Sequence, residues 1–304
     1  MARLLGEQMS GPRKLRELLS MKKPVLAPGA YDALTARLVE TAGFDAVYMT
    51  GFGTAASLLG RPDVGLLTMS ETVDNASRMV GTVNIPVIAD ADAGYGNAIS
   101  VIRAVREYEK AGVAAIHIED QTSPNKCGLV DGIRLVAADE MKQKIRAAVS
   151  ARQSQDFIII ARTDARPVEG LDAVLERGHI YREAGADMLF IENPQSEEDI
   201  AIIAKEFKDI PLLFNWEEGG KTQLPLSRIT EYGFNVVIFP LSILLTATKA
   251  IRDVLAEIRK EGTPMTVMDR FTTFSDFSNF IGLAEINELQ KRFASKTRIQ
   301  ARTT

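Results

Sequence analysis

The chain has a single cysteine, Cys127, so no internal disulfide can form and every multi-cysteine zinc motif is excluded. Two histidines, His117 and His179, are too few for the His-rich centres that bind zinc or iron. No apolar run approaches the roughly 20 residues that a bilayer span requires. The 36 basic residues are outnumbered by 40 acidic ones, a net charge of −4, and no basic stripe favours nucleic acid. The first residues, MARLLGEQMSGPRKLRELLSMKK, lack the continuous apolar stretch and small-residue cleavage site of a signal peptide and read as a short amphipathic helix. The expectation is a cytoplasmic protein whose partners are neither nucleic acid nor membrane. A hydrophobic content of 46% over 304 residues is ample for a sizeable core.

What is present is a degenerate repeat. TAGFDAVYM, KAGVAAIHI, EAGADMLFI and EYGFNVVIF each place Gly after a helical stretch and an apolar run after the Gly. Gly at a helix C-terminus takes the left-handed conformation that other residues resist. The run that follows is a strand buried on both faces, as parallel sheets require. Eight such strands can be read: PVLAP, AVYM, PVIAD ending at Asp90, AIHIE at Glu119, FIIIAR at Arg162, MLFIE at Glu192, PLLFN at Asn215 and VVIFP at Pro240. Helical stretches separate them, and the alternation predicts an α/β chain folded as a (β/α)8 TIM barrel. A doubly wound open sheet is the competing architecture, but the first βα turn has no phosphate-binding glycine fingerprint.

Catalytic residues of such barrels sit at the C-terminal ends of strands. Those positions carry Tyr48, Thr50, Gly51, Asp90, Asp92, Glu119, Arg162, Glu192, Asn215 and Ser242. Strand alternation puts Asp90 and Asp92 on one face. Carboxylates converging at neighbouring strand ends repel one another unless protons or a cation neutralise them. Oxygen donors without His or Cys suit Mg²⁺, with Mn²⁺ as the alternative. Asp92 is expected as a direct ligand, with Asp90 and Glu119 holding waters or a second face. Asp63, in GRPDVG, is either an outer carboxylate or a turn residue. An Arg162–Glu192 ion pair is the plain structural alternative for two members of the ring.

Cys127 lies in SPNKCG, a loop able to close over a metal. A lone cysteine is commonly a small buried hydrophobe, whereas the adjacent Lys126 ammonium would lower its pKa and let it exchange protons near neutrality. Lys126 joins it as a candidate catalytic residue. His117 is in phase with Glu119 and reads as a hydrogen-bonded neighbour of the site rather than a ligand.

With YMTGFGTAAS, VIADADAGYGN, HIEDQ, KCG, IIARTDAR and FPLS in order, the chain resembles the isocitrate lyase and phosphoenolpyruvate mutase superfamily over about nine-tenths of its length. Within it the pattern is most similar to the lyases for 2-methylisocitrate and 2,3-dimethylmalate and to carboxyphosphonoenolpyruvate phosphonomutase. The resemblance implies a Mg²⁺-dependent barrel, usually a homotetramer with terminal helices exchanged between subunits. It places Asp90, Asp92 and Glu119 at the metal with Asp63 as outer partner. Tyr48, Thr50 and Gly51 fall in an α-keto acid pocket, Arg162 on a substrate carboxylate, and Glu192 and Asn215 at further pocket positions. Cys127 matches the lyase thiol. Two departures stand out: the loop reads Asn125-Lys126-Cys127-Gly128-Leu129 where lyases commonly carry K-K/R-C-G-H, and Trp216-Glu217 follow Asn215 where they often have Met and then Val or Thr.

The implied activity is cleavage of a 2-hydroxy di- or tricarboxylate, a small-molecule carboxylate substrate, to an α-keto acid such as pyruvate plus a second acid. The hydroxyl base is left open between Tyr48 and a metal-bound hydroxide. Phosphonopyruvate-type P–C chemistry and oxaloacetate hydrolysis or decarboxylation on the same scaffold are the alternatives, and a degenerate, non-catalytic binding barrel is a third. Residues 1–260 are expected to form the catalytic barrel. Residues 261–304, with Phe271, Phe274, Phe277 and Phe280, are expected to form a helical segment for oligomer contacts.

Overall fold

The structure, a computed structural model, describes residues 4–6, 10–21 and 23–294. Eight parallel strands close into a barrel: β1 (Val25–Ala30), β2 (Val47–Met49), β3 (Val87–Asp90), β4 (Ala115–Glu119), β5 (Ile158–Thr163), β6 (Met188–Ile191), β7 (Leu212–Asn215) and β8 (Val236–Phe239). Each pairs with the next, and β8 returns to β1 with Val25 beside Val236. The four glycines of the repeat, Gly43, Gly112, Gly185 and Gly233, all have positive φ (89°, 85°, 103° and 84°), as a left-handed turn from helix into strand demands.

Alternation along the strands sorts two cores. Ala27, Tyr48, Ile88, Ile160, Phe190, Leu213 and Ile238 fill the barrel interior, and Leu15 and Leu18 of the N-terminal helix Gly11–Leu19 join that cluster. The opposite faces, among them Met49, Ala89, Ile116, Ile159, Leu189 and Phe214, pack outward against the surrounding helices. Two residues beyond the interior set, the same inward rows turn polar: Thr50, Asp90, Arg162, Glu192 and Asn215. The alternation that buries the core thereby aims the site into one mouth.

The described residues form two compact units, and the division along the chain falls between Thr246 and Ala247, inside the helix Ser242–Glu261. One is the barrel, Gly6–Thr246; the other begins at Ala247, ahead of the Lys260–Pro264 breaker. The second unit contains a 3₁₀ turn, Met265–Arg270, and helices Phe274–Phe280 and Leu283–Arg292. None of the 20 residues of Ser242–Glu261 is buried. Phe271, Phe274 and Phe277 are exposed, Phe274 to 86%.

Candidate active site

A cavity at the C-terminal mouth of the barrel is lined by Tyr48, Asp63, Asp90, Glu119, Arg162, Glu192 and Asn215, with Lys126 and Cys127 from the loop after β4. Its volume of about 40 Å³ leaves room for only a few waters, because that loop lies over the mouth. Gly128 sits so close to the strand ends that a Cβ there would come within 2.7 Å of Glu192 Oε1 and 3.2 Å of Arg162 Nη2.

Arg162 organises the β5 side. Its Nε and Nη2 donate to Asp164 at 3.0 and 2.8 Å, a forked pair of charge-assisted bonds, and Nη2 is 3.4 Å from Glu192 Oε1. The Arg162–Glu192 contact is therefore real but secondary to Asp164. Phe190 lies under the guanidinium, 4.9 Å from its centroid. Glu119 Oε2 is 3.4 Å from Arg162 Nε, while Glu119 Oε1 is buried without a hydrogen bond. Asn215 Nδ2 donates to both oxygens of Glu192, at 3.2 and 3.1 Å, leaving its own Oδ1 buried and unpartnered.

On the opposite side, Tyr48 Oη lies 2.9 Å from His117 Nε2 and donates to Asp90 Oδ2 at 3.5 Å. Burial lowers His117 to a pKa of about 4, so the ring is neutral, in the supporting role expected of it. Burial and the Asp90 carboxylate raise the Tyr48 phenol well above its usual value. Tyr48 is thus held as a neutral hydroxyl, a proton donor or relay rather than a phenolate base.

Thr50 caps the helix Gly51–Leu59, its Oγ1 accepting from Gly53 N at 3.2 Å. Its own amide donates to Ala30 O at 3.1 Å, so of Thr50, which lines the cavity, it is the side chain and not the backbone N–H that is left to face a substrate. The amides of Gly51 and Phe52, in the first turn of that helix, have no carbonyl partner within it. A Cβ on Gly51 would stand 2.4 Å from Asp90 Oδ2, so only glycine lets this helix start against the carboxylate.

Four side chains depart from the sequence expectation. β3 ends at Asp90, and Asp92 adopts φ 48°, so the alternation that would align the two carboxylates is broken there. Asp90 faces the cavity; Asp92 lies off its wall, with Oδ1 accepting from Asn125 Nδ2 at 3.0 Å. Lys126 Nζ donates to Asp131 O at 3.2 Å, and its backbone is clamped on both sides by the Gln121 amide. Burial instead pushes the Cys127 thiol up to about 12, with Glu192 and Asp63 adding to the rise. The thiol keeps its proton, which suits a donor and not a thiolate. Ser242 points its hydroxyl at Glu218 Oε1 and does not line the cavity.

The sequence reading passed over Asp164, Asn125, Phe52 and Glu217. Asp164 and Glu217 each stand two residues beyond a named strand-end residue, Arg162 and Asn215, so carrying the alternation one step further would have found both. Asn125 and Phe52 reach the cavity by loop and helix placement and left no periodic signal.

The donor set fits a hard divalent cation. Burial raises Asp63 to about 7 and Asp92 to about 8, in each case reinforced by Asp90, and burial raises Glu119 well above its ordinary value. A crowd of carboxyls held short of ionisation, one with an orphaned buried oxygen, is what a cation would relieve. No three His, Cys, Asp or Glu side chains among the described residues are gathered closely enough to ligate one ion directly. That agrees with Mg²⁺, which takes one or two carboxylates and keeps several waters.

With this geometry in hand, comparison with known proteins is direct. Residues 15–259 match the family described as phosphoenolpyruvate phosphomutase. The 2,3-dimethylmalate lyase of Eubacterium barkeri is 49% identical over 288 residues, covering 94% of this chain and 99% of that one. A crystal structure of 2,3-dimethylmalate lyase superposes with a TM-score of 0.88 at 37% identity, covering 94% of this chain and 96% of the other. The phosphonopyruvate hydrolase complex with oxalate and Mg²⁺ superposes at 0.86 with 31% identity, covering 94% of this chain and 99% of that one. The chain belongs to the phosphoenolpyruvate phosphomutase family. It is a carbon–carbon lyase of the isocitrate lyase and phosphoenolpyruvate mutase superfamily.

Proposed function

We propose that the protein cleaves a 2-hydroxy dicarboxylate of the 2,3-dimethylmalate type to pyruvate and a second carboxylic acid, with Asp90 as the carboxylate that would hold Mg²⁺ and Glu119, Asp63 and Asp92 as acids that would meet it through water. The observation that carries this reading is the protonated Cys127 thiol on the wall of a cavity that also contains the acidic set and Arg162. When bound, Mg²⁺ supplies Lewis-acid polarisation of the substrate's 2-hydroxyl and neighbouring carboxylate. Asp90, on the cavity wall, is the carboxylate placed nearest that role, with Asp92 behind it fixed by Asn125.

The protein's own groups account for the remaining steps. The Gly51 and Phe52 amides hold one carboxylate at the helix N-terminus. Arg162 holds the other through Nη1, the nitrogen that Asp164 does not engage. Tyr48 fixes the 2-oxygen by a hydrogen bond. Once that oxygen passes its proton to Tyr48 Oη, with Tyr48 handing its own to Asp90 Oδ2 along the hydrogen bond between them, the C2–C3 bond breaks, C2 becomes the ketone of the keto acid, and the bonding pair passes to C3 as an enolate. The Cys127 Sγ–H protonates C3, and the loop over the mouth keeps bulk water from doing so indiscriminately. The stranded thiolate is a strong base at this buried position and recovers a proton before product leaves.

The test is a panel of 2-hydroxy di- and tricarboxylates, oxaloacetate and phosphonopyruvate incubated with protein and Mg²⁺, with products identified by mass spectrometry. Release of pyruvate from a substituted malate is expected. Turnover of phosphonopyruvate or oxaloacetate alone would sink the assignment.

The same reading includes assembly. No residue of the Ser242–Glu261 helix is buried, and Leu245, Ile251, Leu255, Phe271, Phe274 and Phe277 are exposed, which supports a reading in which a partner subunit covers them. We expect a homotetramer through these terminal helices, acting in the cytoplasm. Light scattering coupled to gel filtration should give about four times the 33.3 kDa chain mass, and a monomer at micromolar concentration would refute it.

A further inference from the structure

One group on the cavity wall has no task in the chemistry above. Glu217 is 8% exposed, lines the main cavity, and also lines a second, narrow space of about 10 Å³ with Asn193, Pro194, Asn215, Gly220 and Thr222. Its backbone oxygen accepts from Gly219 N, Gly220 N and Gln223 Nε2 and so ties the loop together. Its carboxyl accepts no hydrogen bond from any described residue. A buried carboxyl without a partner is costly and does nothing for the fold.

Asn215, two residues earlier on the same face, supplies the matching half. Both hydrogens of its amide group are directed at Glu192, which fixes the orientation and leaves Oδ1 buried and without a donor. An orphaned acceptor oxygen and a carboxyl that no described residue hydrogen-bonds therefore line the same two cavities on the β7 side. The α-hydroxy acid half of a substrate is drawn to Asp90 and the Gly51–Phe52 amides on the β2–β3 side. Its distal half must then extend toward Arg162, Glu192, Asn215 and Glu217.

We propose that Glu217 is a specificity-determining residue: with Asn215 it receives an alcohol hydroxyl on the distal half of the substrate, accepting the Glu217 proton and donating to Asn215 Oδ1. This deepens the lyase reading and rests on it for the substrate's orientation. Burial and the neighbouring Glu192 carboxylate raise Glu217 to about 8, so the acid form that donates is present at neutral pH. An ammonium group would meet two acceptors if Glu217 were ionised, but the same burial opposes that state. An alkyl group of the same size would leave both polar atoms unpaired, which is the strongest form of discrimination a pocket has.

The probe pair is 2-methylsuccinate and 2-(hydroxymethyl)succinate. Neither has a 2-hydroxyl to deprotonate, so binding is read without turnover. Calorimetric titration of the wild-type protein with Mg²⁺ present should give at least about tenfold tighter binding of the hydroxymethyl compound. Glu217→Val should erase that preference or reverse it, whereas Glu217→Gln, which keeps a donor, should retain most of it. If the Val variant does not fold, Glu217→Met keeps the length without oxygens and gives the same comparison. Equal or better binding of 2-methylsuccinate to wild type, or a preference unchanged in Glu217→Val, would overturn the proposal. A water merely filling the side space predicts that second outcome. The lyase reading fails on different data, namely binding of dicarboxylates with no cleavage of any 2-hydroxy counterpart.

Discussion

Cys127→Ser will lower kcat by about 10²–10⁴-fold, the usual worth of a positioned acid or base, and leave KM nearly unchanged. Serine keeps the shape of the site, and the carboxylate-binding groups (Arg162 and the Gly51–Phe52 amides) do not touch residue 127 for their positions. What changes is the donor. Even a thiol pushed up to about 12 is a far better proton source than an aliphatic hydroxyl. Single-turnover measurement should also show deuterium incorporation at C3 of the released acid falling in step with the rate. In a mutase the enolate left by P–C cleavage is captured at oxygen by the phosphoryl group and no C–H bond forms, so the same substitution there would be mild. An unchanged rate on the true substrate defeats the lyase mechanism while leaving barrel and metal standing.

Removal of divalent cations will abolish turnover, and Mg²⁺ or Mn²⁺ will restore it. Asp90→Asn will cost at least about 10³-fold in kcat/KM, several kcal/mol of Lewis-acid stabilisation, and more than Asp92→Asn, because only Asp90 stands on the cavity wall. A second readout needs no turnover. The raised Asp63 and Asp92 carboxyls still hold protons in the folded chain at pH values where unfolded carboxyls, near pKa 4, have lost them. The folded state then binds more protons than the unfolded one, so stability must fall as pH climbs from about 5 to about 8. The metal-free melting temperature should drop across that window. Added Mg²⁺ should raise it by a margin that widens toward pH 8, where ligands need no longer be deprotonated. Full activity in excess chelator, together with a melting curve indifferent to Mg²⁺, would remove the metal from the account.

Legibility in the sequence followed from which physical rule governed each residue. Asp90, Arg162, Glu192 and Asn215 lie on or directly after strands whose inward rows are marked by an apolar residue two positions earlier, and Glu119 follows the buried His117 in the same way, so period-2 alternation placed them. Asp92 failed because the chain leaves the strand in a left-handed turn at that residue, where the period no longer applies. Lys126 failed because sequence adjacency to Cys127 was read as spatial adjacency of the charge, whereas its ammonium runs to the Asp131 carbonyl. Ser242 failed because Glu218, from the neighbouring β7 loop, takes its hydroxyl.

The amino-acid sequence alone determined the barrel, its strand boundaries and the ring of acids around its mouth, since glycine turns and alternating burial are local rules that each segment obeys by itself. Only the tertiary structure decided which carboxylate faces the cavity, that burial raises the thiol's pKa, and that Glu217 lines the same cavities as the orphaned Asn215 Oδ1. Those properties depend on desolvation and on charges from strands far apart in the chain, and neither quantity exists until the barrel has closed.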